Sequence, residues 1–243
     1  MALLWARFLA SGKGLVIFPK QHQAERFLEA LKFFGAKGVL FPEDEALPFG
    51  GVYRSVATAS ARIAALYWLS SAKTGILATS VKALWRRTIP PEVLRSAYEY
   101  LVVGEEIDRE RLTARLVSLG YEKTGVVQKV GEFAVRGGVL DLFPPGEEFP
   151  VRLDLFGDLI ETIKYFDPTT QRSLGRKEEV VVLPVQEVLL EYDPEGLEER
   201  LFKRFKRFEL SPDKESAYLR ALETRHFLEP EEFWLPLAYA KPA

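Results

Sequence analysis

The sequence predicts an α/β protein with a parallel-sheet domain, followed by an α+β domain built on a twisted antiparallel sheet. Two observations predict this fold class. Strands and helices alternate through the first hundred residues, and short strands separated by turns then dominate up to Leu190. Alternation favours a parallel sheet with helices on its faces, because a crossover helix must return the chain to the start of the next strand. A chain of 243 residues can hold one large domain or two to three smaller ones.

The first hundred residues contain three short apolar runs that are typical of strands and three stretches with helical character. In chain order they are strand Leu15–Phe18, helix Gln21–Phe34, strand Gly38–Phe41, helix Ser55–Leu69, strand Gly75–Thr79 and helix Val81–Arg87. The apolar face of the first helix comprises Ala24, Phe27, Leu28, Leu31 and Phe34. Gly35 is suited to cap that helix. Pro90 and Pro91 are expected to end the last one.

The remaining sequence changes character near Ser96. A single helix is predicted over Asp108–Leu119, with the aspartate as its N-cap. Gly157-Asp158 is a two-residue hairpin turn between predicted strands, and Pro144–Gly146 is a further turn. The chain becomes helical again from Glu195.

Composition excludes several classes of function. The chain has no cysteine, so it can have no disulfide, cysteine-based zinc site or thiol nucleophile, as is common in cytoplasmic proteins. With a net charge of −2, the chain has no overall excess of positive charge that would favour binding to nucleic acid. No apolar run approaches the roughly 20 residues that cross a bilayer. Residues 1–5 favour a short amphipathic helix over a signal peptide, because Arg7 and Lys13 interrupt the apolar run.

The segment Val151–Phe156 alternates between apolar and polar residues. Successive side chains of a strand point to opposite faces, so the valine and two leucines share one face, which we expect to be buried. Arg152, Asp154 and Phe156 share the other face. Arginine and aromatic side chains are frequent anchors of protein interfaces. The alternative interpretation is that a helix or loop of the same chain covers Phe156.

Four segments resemble one protein family. The longest is Gly131–Ser173, with GEFAVRGGVLDLFPPG, PVRLDLFGD and FDPTTQRS. It resembles the amino-terminal part of the bacterial transcription-repair coupling factors (Mfd), which is itself similar to the excision-repair protein UvrB. Phe41–Phe49 resembles that family's FP-x-x-E-x-LPY segment, with phenylalanine in place of the last tyrosine. Gly104–Tyr121 and Trp234–Leu237 resemble its linker-and-helix segment and its late W-x-PLF/Y segment, so the resemblance covers nearly the whole chain.

The resemblance implies three parts. Residues 1–96 would form the first part of a UvrB-like, helicase-like α/β domain whose phosphate loop has degenerated. Residues 97–187 would form the inserted α+β domain that binds UvrA, the damage-recognition ATPase. Residues 188–243 would form a helical tail that packs back on the first domain.

The resemblance also implies a function without catalysis or cofactor. Family members recruit UvrA by imitating UvrB, through positions that hold Arg136, Arg152 and Phe156 in this sequence. Arginine suits this role because its planar fork can hold a carboxylate bidentately. For Arg136 a structural role is the alternative, since it could brace a bend at Gly137-Gly138.

Further expectations about partners follow from the family. A carboxy-terminal domain masks the UvrA-binding surface in the resting full-length protein, and an ATP-dependent translocase lies elsewhere in that protein. RNA polymerase is contacted only through other domains. We expect no membrane partner, and weak or no direct DNA binding. The alternative is a diverged UvrB-like or helicase-like ATPase or DNA-binding protein.

Ser11-Gly12-Lys13-Gly14 is the one stretch that suggests a nucleotide site. It lacks the upstream glycine and the hydroxyl residue after the lysine that a phosphate loop requires. A phosphate loop also follows a strand and precedes a helix, whereas here the strand follows. The stretch is therefore interpreted as the end of a helix.

Other polar clusters are interpreted as surface features. Glu43-Asp44-Glu45 is expected to be surface acid, and His22 and His226 are expected to be surface residues. Two basic clusters raise the question of nucleic acid. One surrounds Trp85 and comprises Lys82, Arg86 and Arg87. The other, Lys203–Phe208, is expected to be a helix with a solvated basic face, whose core-facing stripe comprises Leu201, Phe202, Phe205 and Phe208.

Overall fold

The structure is a computed structural model that describes residues 12–44, 55–209, 211–224 and 231–239. It is a mixed α/β fold. The strands are β1 Lys13–Phe18, β2 Gly38–Phe41, β3 Gly75–Ser80, β4 Glu99–Val102, β5 Glu122–Lys123, β6 Glu132–Arg136, β7 Val139–Leu142, β8 Val151–Phe156, β9 Leu159–Phe166, β10 Ser173–Lys177 and β11 Glu179–Val182. The helices are α1 Gln21–Phe33, α2 Val56–Ser71, α3 Val81–Leu84, α4 Pro91–Ala97, α5 Arg109–Ser118, α6 Pro194–Phe208, α7 Pro212–Thr224 and α8 Glu231–Ala238.

A parallel sheet is formed by β1, β3 and β2, in that order. The central strand β3 is buried along its whole length. Leu31 of α1 packs on one face of the sheet against Ile76, and Ala65 of α2 packs on the other face against Leu77. Helices therefore cover both faces, as the alternation of strand and helix predicts.

A six-stranded sheet has the order β10-β9-β8-β7-β6-β5, antiparallel except where β5 pairs with β6. One face belongs to the largest hydrophobic core of the described residues. The strand residues in this core are Phe133, Leu140, Leu142, Val151, Leu153, Ile160 and Ile163. The same core includes residues of α2, α4, α5, α6 and α8. The opposite face, which we call the outer face, carries a small hydrophobic cluster around Ala134 and Phe166.

Several predicted elements are confirmed with small changes at their ends. Ser55 and Asp108 cap α2 and α5, accepting hydrogen bonds from the backbone nitrogens of Thr58 and Arg111. The helix predicted over Val81–Arg87 is only one turn. Helix α4 was not predicted, because Pro91, interpreted as a stop, instead begins it. Proline is tolerated at the first helical position, where its missing N–H is not needed.

Other expectations fall outside the described residues or are wrong. The helix expected at residues 1–5 lies outside the described residues, as do Ser11, Glu45 and His226. Phe34 is exposed, because α1 ends at Phe33 and Phe34 is its C-cap. Within the described part of the chain, no helix is long and apolar enough to cross a membrane.

Candidate partner-binding surface

Two tight turns align the strands that carry the predicted contact residues. Gly137 and Gly157 each occupy the first position of a two-residue hairpin turn, with φ of +58° and +61°. A positive φ at this position suits the twist of the flanking strands and is accessible to glycine. Gly138 is also required, since a Cβ there would lie 2.8 Å from the Leu155 carbonyl oxygen. Gly137-Gly138 is therefore a hairpin turn, where the sequence suggested a bend.

The strand register places the three predicted contact residues on the outer face. Arg136 pairs with Val139, which pairs with Asp154, so these residues form a row across β6, β7 and β8. Arg152 and Phe156 lie on either side of Asp154 along β8 with the same orientation. The prediction from alternation is confirmed, since Val151 and Leu153 are fully buried on the opposite face.

Phe156 is 77% exposed at the end of β8. The alternative, that a helix or loop covers it, is wrong for the described part of the chain. Most of this ring therefore lies in solvent and not against the described residues. It is the type of side chain that anchors a protein interface.

Asp141 joins the two arginines. Its side chain is fully buried on β7, opposite Arg152 on β8. Arg152 donates from Nε to Oδ1 at 2.7 Å and from Nη2 to Oδ2 at 2.9 Å. Arg136 donates from Nη2 to the same Oδ2 at 2.5 Å. Charge-assisted, bidentate bonds of this kind are the strongest hydrogen bonds of side chains.

The two arginines differ in how much of them a partner could reach. The Arg152 side chain is 20% exposed and that of Arg136 is 48% exposed. The Arg152 guanidinium also lies over the ring of Phe166, 4.7 Å from its centroid. The hydrogen bonds to Asp141 raise the pKa of Arg152 above its already high value, so it is charged at any physiological pH.

Arg136 does not brace the turn that follows it. The backbone oxygen of Gly137 accepts a hydrogen bond from Arg109 Nη1 at 2.8 Å. Arg136 instead bonds Asp141, so its guanidinium lies beside that of Arg152. Arg136 thus has a structural contact of another kind, an ion pair with the buried carboxylate of Asp141 on the outer face.

A second ion pair lies beside the first. Asp154 accepts hydrogen bonds from Lys164 Nζ and Thr162 Oγ1, both at 2.6 Å. Burial alone would raise the pKa of Asp154, but the bonds from Lys164 and Thr162 outweigh burial and hold it below its usual value of 3.8. The outer face thus presents ordered charges next to an exposed aromatic ring, which suits recognition of a folded partner.

The stretch that suggested a nucleotide site has another structure. Lys13 and Gly14 lie in β1, and Lys13 Nζ donates to the backbone oxygen of Leu69 at 2.7 Å. The lysine therefore does not precede a helix, as it does in a phosphate loop. The helix end expected over Ser11–Gly14 is therefore not found at Lys13 and Gly14, which are strand residues, and the helix expected before them lies outside the described residues.

The acidic cluster is only in part a surface feature. The expectation is wrong for Asp44, which is buried with its Oδ2 3.9 Å from Arg86 Nη1. Glu43 is partly buried, and its carboxylate accepts a hydrogen bond from Ser80 Oγ at 2.6 Å. Its backbone N–H donates to Gln21 Oε1 at 2.6 Å. The hydrogen bond from Ser80 lowers the pKa of Glu43. His22 is exposed as expected, and no group of metal-ligating side chains occurs among the described residues.

The basic helix α6 is core-facing, but its stripe differs from the prediction. Leu201 and Phe205 are buried as predicted, together with Leu197 one turn earlier. Phe202 and Phe208 are exposed. Phe202 is displaced by about 100° from Leu201 around the helix, and Phe208 is the last helical residue. In the other basic cluster, Trp85 is exposed.

Asp141 is the residue at the centre of this surface that sequence reasoning missed. It stands in the run Val139–Leu142 as one acid among apolar residues, which is the only signal that the sequence offers. A buried carboxylate requires charged partners. The sequence could have indicated that Asp141 needs charged partners, but it could not have identified them.

Comparisons with known proteins relate the chain to one family of bacterial repair proteins. Residues 100–188 match the family model described as the UvrB interaction domain, and this range contains all three predicted contact residues. The chain is similar to transcription-repair-coupling factors of three organisms. That of Myxococcus xanthus is 39% identical over 179 residues, covering 70% of this chain and 15% of the relative. Those of Haemophilus influenzae and Escherichia coli are each 32% identical, covering 94% and 96% of this chain and 20% of each relative. The chain thus spans a fifth or less of the length of these relatives.

Proposed function

This chain belongs with the transcription-repair-coupling factors, as a UvrB-like amino-terminal module of that family, and from this premise we propose that it is a non-catalytic adaptor that binds UvrA. It recruits the damage-recognition ATPase by presenting a surface that imitates that of UvrB. In the cell this brings excision repair to a strand on which RNA polymerase has stalled. The module itself performs no ATP hydrolysis.

The observation that carries the proposal is the exposed ring of Phe156 on the same sheet face as two arginines. Aromatic and arginine side chains dominate the binding energy of protein interfaces when a partner buries them. Phe156 supplies apolar area at the edge of the surface, and Arg136 supplies a charged group that is still half exposed. Arg152 is held more deeply, by the Asp141 carboxylate and the Phe166 ring, and supplies a second charged group.

The three-part organisation is part of the same proposal. The parallel sheet of β1, β3 and β2 supports a helicase-like α/β domain over residues 1–96 whose nucleotide site has degenerated. The six-stranded sheet supports an inserted UvrA-binding domain over residues 97–187. Helices α6 to α8 belong to the tail over residues 188–243, and α6 and α8 share their core with α2 and α4.

We further propose how the module is controlled within a longer protein. A carboxy-terminal domain masks the outer face in the resting full-length protein, and RNA polymerase engages other domains. The isolated chain then binds UvrA constitutively in the cytoplasm and shows weak or no DNA binding. Equal UvrA affinity of the isolated chain and the resting full-length protein would contradict masking.

The direct experiment is capture of purified UvrA by the immobilised chain, with Phe156→Ala compared with Phe33→Ala. Phe33 lies on α1, outside the outer face, and is 85% exposed, so its replacement removes the same side chain from a surface without a proposed partner. We expect Phe156→Ala to lose capture and Phe33→Ala to retain it. Equal capture by both variants would contradict the proposed surface.

A further inference from the structure

Asp141 occupies the centre of the outer face without being reachable from solvent. Its carboxylate is fully buried, and both of its oxygens accept hydrogen bonds from arginines of the neighbouring strands. Arg136 and Arg152 share Oδ2, so their Nη2 atoms lie close together on either side of it. Asp141 therefore contacts both predicted contact arginines but cannot itself contact a partner.

We infer that Asp141 is the positioning residue of this surface, which fixes the guanidinium planes of Arg136 and Arg152 in the orientation that the partner meets. The inference rests on the proposed function, since it assigns a role in UvrA binding. It adds a residue that acts only through the two arginines. Its loss weakens binding although no atom of it reaches the interface.

The first physical reason is electrostatic. Two guanidinium groups that share one carboxylate oxygen would repel each other without the negative charge between them. Replacing the carboxylate with a neutral amide leaves that repulsion, and the more exposed Arg136 is free to turn into solvent. The geometry of the pair is lost even when the strands stay paired.

The second reason is conformational. An arginine side chain has about 2 kcal/mol of rotamer entropy, part of which is lost when a partner orders it. Asp141 holds both arginines before the partner arrives, and Phe166 supports the Arg152 plane from below. A guanidinium carries five N–H donors, and Asp141 engages two nitrogens of Arg152 and one of Arg136. Donors therefore remain for carboxylates or carbonyls of the partner.

The test is calorimetric titration of UvrA with the wild-type chain, Asp141→Asn, Asp141→Glu and the control Glu99→Gln. Glu99 lies on β4, outside the outer face, and forms an ion pair with Arg115, so its replacement removes a paired carboxylate without affecting a predicted contact arginine. We expect Asp141→Asn to weaken binding about 10- to 100-fold and the control to change it by less than about threefold. Asp141→Glu keeps the charge but displaces the carboxylate by one methylene, and we expect a similar loss.

A double-mutant cycle distinguishes positioning from a general effect on the fold. In a chain that already carries Arg136→Ala and Arg152→Ala, Asp141→Asn is expected to cause no further loss of affinity. Thermal unfolding monitored by circular dichroism identifies the variants that remain folded. If Asp141→Asn does not fold, Asp141→Glu decides the question. In the wild type, the Nε–H of Arg152 should exchange with solvent more slowly than that of the exposed Arg95.

The outcomes separate this inference from the proposed function. A wild-type chain that does not bind UvrA overturns the proposed function, and with it any role of Asp141 in binding. Wild-type binding with equal affinity of the folded Asp141 variants overturns the positioning role alone. An equal loss from Asp141→Asn with and without the arginines also overturns it, as does rapid exchange of the Arg152 Nε–H.

Discussion

Arg62 Nε donates to Glu187 Oε1 at 2.6 Å, although the two residues are 125 positions apart and both side chains are fully buried. The Arg62 guanidinium also lies 4.2 Å from the ring centroid of Phe41, and its Nη1 donates to the Pro42 oxygen at 3.1 Å. This one side chain therefore connects α2, the end of β2 and the segment after β11. The ion pair therefore joins a residue that precedes the strands of the six-stranded sheet in the sequence to a residue that follows them.

Removal of Glu187 is predicted to destabilise the fold strongly. Glu187→Ala leaves the charge of Arg62 buried without its carboxylate, and breaking a buried pair in this way costs about 3–5 kcal/mol. Urea unfolding followed by circular dichroism measures the free energy of unfolding. Glu199→Ala is the control, because Glu199 pairs with Lys203 on the exposed face of α6 and its loss should leave stability close to that of the wild type. Equal stability of the two variants would show that the buried pair is dispensable.

Gly138→Ala is predicted to destabilise the hairpin that presents Arg136. The new Cβ would meet the Leu155 carbonyl oxygen at 2.8 Å, so the backbones of β7 and β8 must separate. Overpacking of this kind costs about 1–3 kcal/mol. Gly175→Ala is the matched control, since no atom lies within 4 Å of a Cβ there. Thermal unfolding should show a lower midpoint for Gly138→Ala alone, and a lowered midpoint for both would point to a cause other than this contact.

The contribution of Asp154 to stability is predicted to disappear in acid. Hydrogen bonds from Lys164 and Thr162 hold its pKa below the usual 3.8 in the folded state, despite partial burial. A carboxylate with a lowered folded-state pKa stabilises the fold above its unfolded-state pKa, and this stabilisation is lost as the pH falls through the folded-state value. Asp154→Asn should therefore unfold more easily than the wild type at pH 7, and the difference should shrink below about pH 3.8. Glu29→Gln, an exposed change on α1, is the control. A difference that stays constant with pH would contradict the assigned hydrogen bonds.

Charge reversal is predicted to separate UvrA binding from DNA binding. Arg152→Glu places a negative charge beside Asp141 on the outer face and should abolish UvrA binding in a chain that remains folded. Lys206→Glu reverses an exposed charge on the basic face of α6 and should leave UvrA binding unchanged. A direct DNA binder would show the opposite pattern, with salt-sensitive DNA binding that Lys206→Glu weakens.

Nucleotide is predicted not to stabilise the chain. Lys13 lies in β1 and not at the start of a helix, and its Nζ donates a hydrogen bond to the backbone oxygen of Leu69 on α2. ATP with magnesium should therefore leave the unfolding midpoint unchanged, because only a ligand that binds the native state raises it. A rise in the midpoint that Lys13→Ala abolishes would support the rival interpretation of the chain as an ATPase.

Local patterns predicted much of the fold. The short apolar run Leu15–Phe18 and the alternation in Val151–Phe156 each depend on neighbours in sequence, and both strands are present. The alternation also predicted which residues of β8 are buried, whereas the burial expected for the first run is wrong, since Leu15 and Ile17 are exposed. Helix α4 was missed because proline both ends helices and begins them, and only the following residues decide between the two. Phe202 was misassigned because it adjoins a buried residue in sequence but not around the helix.

Non-local pairing accounts for what the sequence could not show. Asp44 and Asp141 read as ordinary acids, and their burial depends on Arg86 and on Arg136 and Arg152. The face shared by Arg152 and Phe156 follows from strand parity, whereas the position of Arg136 beside them depends on the register of β6, β7 and β8. No local rule supplies that register across two hairpins.

The most direct test of the central claim is isothermal titration of UvrA with the wild-type chain, Arg136→Ala, Arg152→Ala and Phe156→Ala. Arg95→Ala and Phe33→Ala serve as exposed controls outside the surface. The account predicts that the wild type and both controls bind, while each of the three variants loses about 2–4 kcal/mol, or roughly 30- to 1,000-fold in affinity. Absence of wild-type binding, or equal binding by all six proteins, would contradict it.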